Sequence, residues 1–312
     1  MIPLLIAAAA LSAEKLPLPA PGPVFMDYLA ANGTQIWVPA GNTGKVFVLE
    51  AGKFREVPGF ATKKGRGDRL MGPSSVSIGA GVAYVGNRGD AKICAFDTRT
   101  LEKKACSPEL SSMPDGTFYV APTKEVWVTL PREKLLQILD GATLKPVAKM
   151  ELAGGPEGYA VDEGKGLVFT NLEDKDKTLA IDARARKIVS TFEPGCGEEG
   201  PRGLAVDGAR GLLFVACTDG VAALDEKTGA KKGRLETGKG VDNIDYLPGK
   251  KRLYVASGQA EKLTLVDAAD DGSLKEAGTA AIGKGCRVVV TGSDGTAYAA
   301  DSQGGQLWVV KP

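Results

Sequence analysis

The chain has 312 residues, of which 39 are basic and 38 are acidic, and it contains no histidine. This balance leaves no excess positive charge to neutralise a phosphate backbone, so we expect no nucleic-acid partner. The lack of histidine excludes His-ligated metal and haem sites and every nucleophilic arrangement that uses histidine as its base.

The longest apolar stretch runs from Ile2 to Leu11 and ends at the small residues Ser12 and Ala13, just before Glu14. It is too short to cross a bilayer and is typical of a secretory signal peptide, which predicts a signal over residues 1–13 and no membrane insertion. A buried first strand is the alternative, although four consecutive alanines favour a strand poorly. We therefore expect one mature domain over residues 14–312, in the periplasm or secreted.

Beyond this segment the hydrophobic pattern repeats seven times with a period of 40 to 47 residues. Each copy carries an aromatic residue at the same phase: Trp37, Tyr84, Trp127, Phe169, Phe214, Tyr254 and Tyr298. Units of this length that are rich in short strands predict an all-β fold, a seven-bladed β-propeller with four-stranded antiparallel blades. Because neighbouring blades share their core, the ring needs no second domain. We expect it to be a monomer.

The clearest copies begin with Gly-Pro, pass through an apolar strand that ends at Asp, turn on Gly and enter the strand with the aromatic residue. Residues 155–169 and 200–214 superimpose in this way after a shift of 45 positions. A third strand in each unit closes on an aspartate: Asp97, Asp140, Asp182, Asp225 and Asp267. We expect these side chains to accept backbone amide hydrogen bonds and start tight turns. Metal binding is disfavoured, because the turns lie on separate blades.

The last unit supplies only three strands, over residues 287–291, 296–300 and 306–310. Residues 15–18 are predicted to add the fourth strand, so that an N-terminal strand completes the last blade and closes the ring. Pro17 lacks a backbone donor, which a sheet tolerates at an outer edge strand. Closure also protects the sheet edges from aggregation.

Three segments of this pattern, residues 161–171, 224–229 and 252–256, are similar to blades of the YVTN-type bacterial β-propeller family, a relative of the WD40-like and NHL-like superfamilies. The resemblance covers residues 24–312 and implies the seven-bladed scaffold. It implies no particular ligand, because members of that family differ in what they bind.

Export places the five cysteines in an oxidising compartment, where pairing is expected. Cys94 and Cys106 lie on either side of a turn centred near Thr100, at opposite positions of a hairpin, which predicts a cross-strand disulfide. Buried reduced thiols are the alternative.

The second predicted disulfide joins Cys196, which precedes an innermost strand, to Cys217, which ends a second strand in the same blade. Both are expected on one face of the ring. Cys286 is left as a free thiol beside Arg287, whose charge would make an exposed thiol reactive, whereas a buried thiol would be passive.

Propellers usually bind ligands at one end of the central channel, where loops lead into the innermost strands. The positions after the Gly-Pro steps are predicted to line this mouth: Asp27, Ser74, Asp115, Glu157, Arg202, Asp242, Asn243 and Arg287. In this hypothesis Arg202 and Arg287 bind a carboxylate, a phosphate or an acidic side chain through paired hydrogen bonds. The alternative is a solvated ring of charges that compensate one another.

The sequence therefore predicts an exported binding or interaction module, which holds a protein or a small anionic ligand at the channel mouth and performs no covalent chemistry. It has no Cys-x-x-Cys pair and no phosphate-binding loop, and we expect no cofactor.

Two alternatives remain open. In a divalent-metal-dependent, lactonase-like hydrolase, a channel cation such as Ca²⁺ would take oxygen ligands from Asp27, Asp115, Glu157, Asp242 and Asn243. Seven blades instead of six, and two nearby arginines, count against this activity. In a scaffold, the outer face would dock a protein through charged loops such as residues 63–69.

Overall fold

The computed structural model describes residues 9–65, 67 and 69–312 of the chain. They form seven antiparallel sheets around a central channel, which confirms the predicted all-β, seven-bladed propeller. Within these residues there is no α-helix, and no helix is long and apolar enough to span a bilayer.

The first three blades follow one another along the chain, and each runs from its innermost to its outermost strand. Blade 1 contains β3 (Ala30–Asn32), β4 (Gln35–Ala40), β5 (Lys45–Glu50) and β6 (Lys53–Val57). A small hairpin, β7 (Lys63–Lys64) and β8 (Leu70–Met71), precedes blade 2. Blade 2 contains β9 (Pro73–Gly79), β10 (Val82–Asn87), β11 (Lys92–Asp97) and β12 (Lys103–Cys106). Blade 3 contains β13 (Thr117–Val120), β14 (Glu125–Leu130), β15 (Leu135–Asp140) and β16 (Pro146–Glu151).

The other four blades repeat this order. Blade 4 contains β17 (Pro156–Asp162), β18 (Leu167–Leu172), β19 (Lys177–Asp182) and β20 (Lys187–Phe192). Blade 5 contains β21 (Pro201–Asp207), β22 (Leu212–Cys217), β23 (Gly220–Asp225) and β24 (Lys231–Glu236). Blade 6 contains β25 (Val241–Leu247), β26 (Arg252–Ser257), β27 (Lys262–Ala268) and β28 (Leu274–Ala281). Blade 7 contains β29 (Val289–Thr291), β30 (Ala297–Asp301) and β31 (Gln306–Val310).

The N-terminal strand β2 (Ala13–Pro17) completes blade 7, as predicted. It pairs antiparallel with β31, from Ala13 opposite Val310 to Pro17 opposite Gln306. The preceding strand β1 (Ala9–Leu11) lies parallel to β28, at the outer edge of blade 6. Most of the predicted signal peptide, residues 1–8, lies outside the described residues, so the signal stays a prediction.

The core is divided among the interfaces between blades. A hydrophobic cluster fills each of the seven interfaces in the described chain, including the one that joins blade 7 to blade 1. The repeated aromatic residue lies in the second strand of every blade, and Trp37 and Trp127 are fully buried there. Each indole N–H donates to the side chain two positions earlier on the same strand face, Gln35 (2.8 Å) and Glu125 (3.0 Å). The polar edge of each tryptophan is therefore satisfied within its own strand.

The aspartates that end the third strands start turns, as predicted. Asp97 accepts hydrogen bonds from the amides of Arg99 (2.9 Å) and Thr100 (3.1 Å). These bonds lower the pKa of Asp97 to about 2. Asp140 and Asp225 make the equivalent bonds to residues two and three positions later.

Two of the five aspartates depart from this pattern. Asp182 accepts only from the amide of Ala185, at 2.7 Å. The prediction is wrong for Asp267, because β27 continues past it to Ala268 and its carboxylate instead accepts from Arg252 at 2.7 Å.

Both predicted disulfides are present. Cys94 and Cys106 lie directly opposite each other on β11 and β12. Cys196, in the loop before β21, is joined to Cys217 at the end of β22. Cys286 is free and buried, and burial raises its pKa to about 12. Of the two alternatives for this thiol, exposed and reactive or buried and passive, the structure therefore agrees with the buried and passive thiol.

Ring closure predicts a difference between two N-terminal deletions. A chain that begins at Ala13 keeps β2, whereas one that begins at Pro19 loses β2 and also Leu18, which is buried in the cluster between blades 7 and 1. Losing Leu16 and Leu18 removes roughly 4 kcal/mol of apolar burial. We expect the melting temperature of the shorter chain to fall by about 10 °C relative to the longer one. Equal melting temperatures in differential scanning calorimetry would show that β2 does not close the ring.

Candidate functional site

The predicted mouth residues lie where the innermost strands begin, and several occupy irregular positions of these strands. The pairing between first and second strands shifts at Ser74, at Gly158 beside Glu157, at Arg202, and at Asp242 with Asn243. Such bulges redirect side chains locally. Gly158 has a φ of +65°, and a Cβ there would lie 2.3 Å from the carbonyl oxygen of Arg202. Glycine is thus required for the irregular backbone beside Glu157.

Arg88, in the turn after β10, is the central cation of the mouth. Its guanidinium donates to Asp27 at 3.0 Å, to Asp115, and to the carbonyl of Pro114 at 3.2 Å. Burial alone would lower the pKa of Arg88, but the two carboxylates raise it. Arg88 therefore holds two of the predicted site residues together as a compensated group.

Tyr28 crosses the channel. It follows Asp27 at the start of blade 1, yet its hydroxyl donates to Glu157 of blade 4 at 2.7 Å and accepts from the amide of Gly158 at 3.3 Å. Its ring stacks on Tyr159, with centroids 5.6 Å apart. The side chain of Tyr28 therefore links blade 1 to blade 4.

Glu157 is held in an environment that disfavours its charge. Burial raises its pKa well above the usual range, and the nearby Asp115 and Asp242 add to this effect. The pKa of Asp115 is also raised by burial, although Arg88 acts in the opposite direction. The mouth therefore carries less negative charge than its number of carboxyl groups suggests.

Arg287 and Asp242 form a third charged group, with the guanidinium 3.2 Å from the carboxylate. Burial raises the pKa of Asp242 to about 6, although Arg287 works against this shift. The side chain of Arg287 is 51% exposed, so much of its guanidinium faces solvent.

Arg202 shares no hydrogen-bond or ion-pair partner with Arg287 among the described residues, although both guanidiniums lower the pKa of Asp242. The guanidinium of Arg202 contacts Glu173 and donates to the carbonyl of Glu199 at 3.2 Å. The two arginines that the sequence analysis placed together as anion ligands therefore have separate contacts.

Ser74 and Asn243 have positions of a different kind. Ser74 is 1% exposed, and its hydroxyl has no hydrogen-bond partner among the described residues. The side chain of Asn243 accepts from the amide of Ile244 and borders a channel cavity of about 150 Å³ together with Tyr28. Neither side chain contacts the Arg88 or Arg287 groups.

A cavity of about 700 Å³ opens beside Arg287. Its other walls come from Phe25 and Met26, from the loop at Ser302, and from Arg69 and Leu70 of the hairpin before blade 2. The guanidinium carbon of Arg69 lies 3.3 Å from the centroid of the Phe25 ring. Burial and the nearby Arg88 and Arg287 lower the pKa of Arg69, so three guanidiniums influence one small region.

Sequence reasoning missed Tyr28, Arg88, Arg69 and Phe25. Tyr28 and Phe25 flank the predicted Asp27, so proximity in sequence was an available signal. Arg88 follows a second strand, which returns to the same face of the ring as the start of the first. Arg69 lies in an insertion between blades, where the repeat carries no information.

The carboxylates that the hydrolase alternative would use are engaged by other side chains of the mouth. Among the described residues, no group of three or more Cys, Asp or Glu side chains is placed to hold a metal ion. Arg88 instead occupies the space between Asp27 and Asp115. A cation at that position would have to displace the guanidinium.

No protein-family model matches the chain, and no curated protein matches it in sequence. The YVTN-type family is therefore not confirmed.

Solved structures nevertheless match nearly its whole length. A chain of the mitotic checkpoint complex has 13% sequence identity and a TM-score of 0.81, over 100% of this chain and 95% of that one. The hydrazine synthase of Kuenenia stuttgartiensis has 15% identity and a TM-score of 0.75, over 95% and 97%. U3-55K has 9% identity and a TM-score of 0.76, over 98% and 100%. At these identities the likeness shows the fold alone.

The Arg88 group predicts a charge-dependent loss of stability. Arg88→Met leaves Asp27 and Asp115 buried without a counter-ion, which we expect to cost about 3–5 kcal/mol at pH 7.5 in urea denaturation. The pKa of Asp115 is raised in the folded state, so its ionised form destabilises the fold at pH values above that pKa. Protonation of Asp115 at lower pH removes this destabilisation. The loss should therefore shrink at pH 5, and Asp115→Asn should partly rescue the variant. Arg132→Met, at an exposed turn, is the control; an equal loss there, or a loss independent of pH, contradicts the prediction.

Proposed function

We propose that this protein is an exported binding module that recognises an anion, either a small molecule or an acidic group of a protein partner, at the channel mouth without covalent chemistry. The observation that carries the proposal is the pair Arg69 and Arg287 on the wall of the same 700 Å³ cavity. A cavity of this size is within the range of small-molecule sites.

The charges of the mouth differ in how far they are compensated. Arg88 is shared by two carboxylates, and Tyr28 satisfies Glu157. The guanidinium of Arg69 lies against the ring of Phe25 and forms no ion pair among the described residues, although the charge of Asp27 acts on it from a greater distance. Because a guanidinium can only donate hydrogen bonds, its complement is an anionic acceptor.

Arg287 lines the same cavity and supports the same ligand. It has one partner, Asp242, and about half of its side chain is exposed. Arg69 takes the role that the sequence analysis gave to Arg202. A protein partner with an acidic side chain also agrees with the occurrence of this fold in an assembly such as the mitotic checkpoint complex.

Export is supported by the two disulfides, which persist in oxidising compartments. We also propose that the protein is periplasmic or secreted and that residues 1–13 are removed as a signal peptide.

Anion binding predicts a specific thermal shift. At ten times its Kd, sulfate should stabilise the protein by about 1.4 kcal/mol, measured as a rise in melting temperature against chloride at equal ionic strength. Arg69→Gln and Arg287→Gln should each weaken sulfate binding about tenfold, since a charge-assisted hydrogen bond is lost. The residual rise in these variants measures the general stabilising effect of sulfate.

Arg202→Gln is the matched control, because Arg202 contacts Glu173 instead of the cavity. Loss of the sulfate effect in Arg202→Gln and Arg287→Gln, but not in Arg69→Gln, would restore the pair predicted from the sequence. A rise produced by Ca²⁺ and abolished by Glu157→Gln would favour the metal-dependent hydrolase instead.

Competition between Asp242 and the ligand predicts a pH dependence. Protonation of Asp242 as the pH falls through about 6 removes the carboxylate that engages Arg287. Sulfate affinity in calorimetry should therefore rise about two- to fivefold between pH 7.5 and pH 5, because the competing pair is worth about 0.5–1 kcal/mol. Asp27, Glu157 and Tyr28 also act on Arg287, but Arg88 and the Tyr28–Glu157 bond hold them. A pH dependence that persists in Asp242→Asn refutes this account.

Export predicts a defined covalent state. After secretion, intact-mass analysis should find a chain that begins near Glu14, with two disulfides. Alkylation without reduction should label only Cys286, and only after denaturation, because that thiol is buried. Free alkylation of Cys94 and Cys106 in the exported protein would contradict the oxidised state.

A further inference from the structure

We infer that the ligand of the mouth cavity is a small organic carboxylate with an apolar body, held at its charged end by Arg69 and Arg287. This inference rests on the proposed function and specifies the chemical class of its ligand. The chemical class is inferred from the side chains of the cavity wall that are not already bonded to other parts of the protein.

The neutral polar groups of the wall are largely used by the protein itself. The amide of Asn42 accepts from the amide of Phe25 (2.9 Å) and donates to the carbonyl of Pro23 (2.8 Å). The hydroxyl of Ser302 accepts from the amide of Met26 at 3.1 Å. These bonds fix the segment that carries Phe25. Gln303 also lines the cavity with a neutral amide, so the two guanidiniums are the charged donors of the wall.

Half of the residues that line the cavity are apolar. Met26 and Val288 are buried in the core, whereas Pro23, Phe25 and Leu70 keep accessible apolar surface. Leu70 is 38% exposed, one of four large hydrophobic side chains in the described chain that remain exposed. An inorganic anion would contact the guanidiniums and leave this surface in water.

The hairpin of β7 and β8 presents both kinds of contact. Arg69 and Leu70 are adjacent in sequence, and both line the cavity. The ring of Phe25 lies against the Arg69 guanidinium and orders a long, flexible side chain. A carboxylate held by Arg69 would therefore place the first carbons of its body beside Leu70.

Calorimetry with acetate, butanoate, hexanoate and octanoate at pH 7.5, below micelle-forming concentrations, tests the inference. Each methylene that becomes buried should tighten binding about three- to fourfold. Leu70→Ser should reduce this gain without changing the affinity for sulfate. Val189→Ser is the matched control, because Val189 is also an exposed hydrophobic residue but lies on the outer strand β20. Hexylamine should not compete.

The outcomes separate this inference from the proposed function. If sulfate binds through Arg69 and Arg287 but affinity is independent of chain length, the organic carboxylate is wrong and anion binding stands. A chain-length gain that Leu70→Ser leaves intact also overturns the inference. If neither sulfate nor any carboxylate binds, both proposals fail.

Discussion

The pairing of β2 with β31 is the interaction on which the rest of the structure depends. It joins the two ends of the chain in one sheet, so that blade 7 has four strands and packs against blade 1. Each blade buries its faces only against its neighbours, and an open array would leave two apolar faces in water. Closure also places blades 1 and 4 across a narrow channel, which allows Tyr28 to reach Glu157.

The crowded channel mouth then imposes its own electrostatic constraint. Carboxyl groups that are remote in sequence lie close together at low solvent exposure, where uncompensated charge is costly. Arg88 compensates two of them, the Tyr28 hydroxyl satisfies a third, and burial raises the pKa of Asp242 to about 6. Arg69 and Arg287 are exposed, whereas Arg88 is partly covered. Under the proposed function, the ligand would therefore meet the exposed pair.

The repeated scaffold explains why the likeness to other propellers says little about function. Solved structures match nearly the whole chain at 9 to 15% identity, because the blade requires only a pattern of apolar strands and turns. The residue at the mouth position varies among the blades, and local shifts in strand pairing change where those side chains point. Chemistry in this fold is therefore decided by single residues at irregular positions.

The sequence by itself determined the features that are periodic or local. The spacing of the aromatic residues predicted seven blades, the missing strand predicted closure by residues 15–18, and Cys94 and Cys106 were assigned to opposite positions of one hairpin. The mouth residues were predicted as a set because they lie near the same phase of the repeat. Their partners were decided by the tertiary structure: Arg202 contacts Glu173, and Arg88 lies 61 positions from Asp27 in sequence. Periodicity describes what the blades have in common, whereas these contacts depend on differences between blades and on an insertion, which only the closed ring brings together.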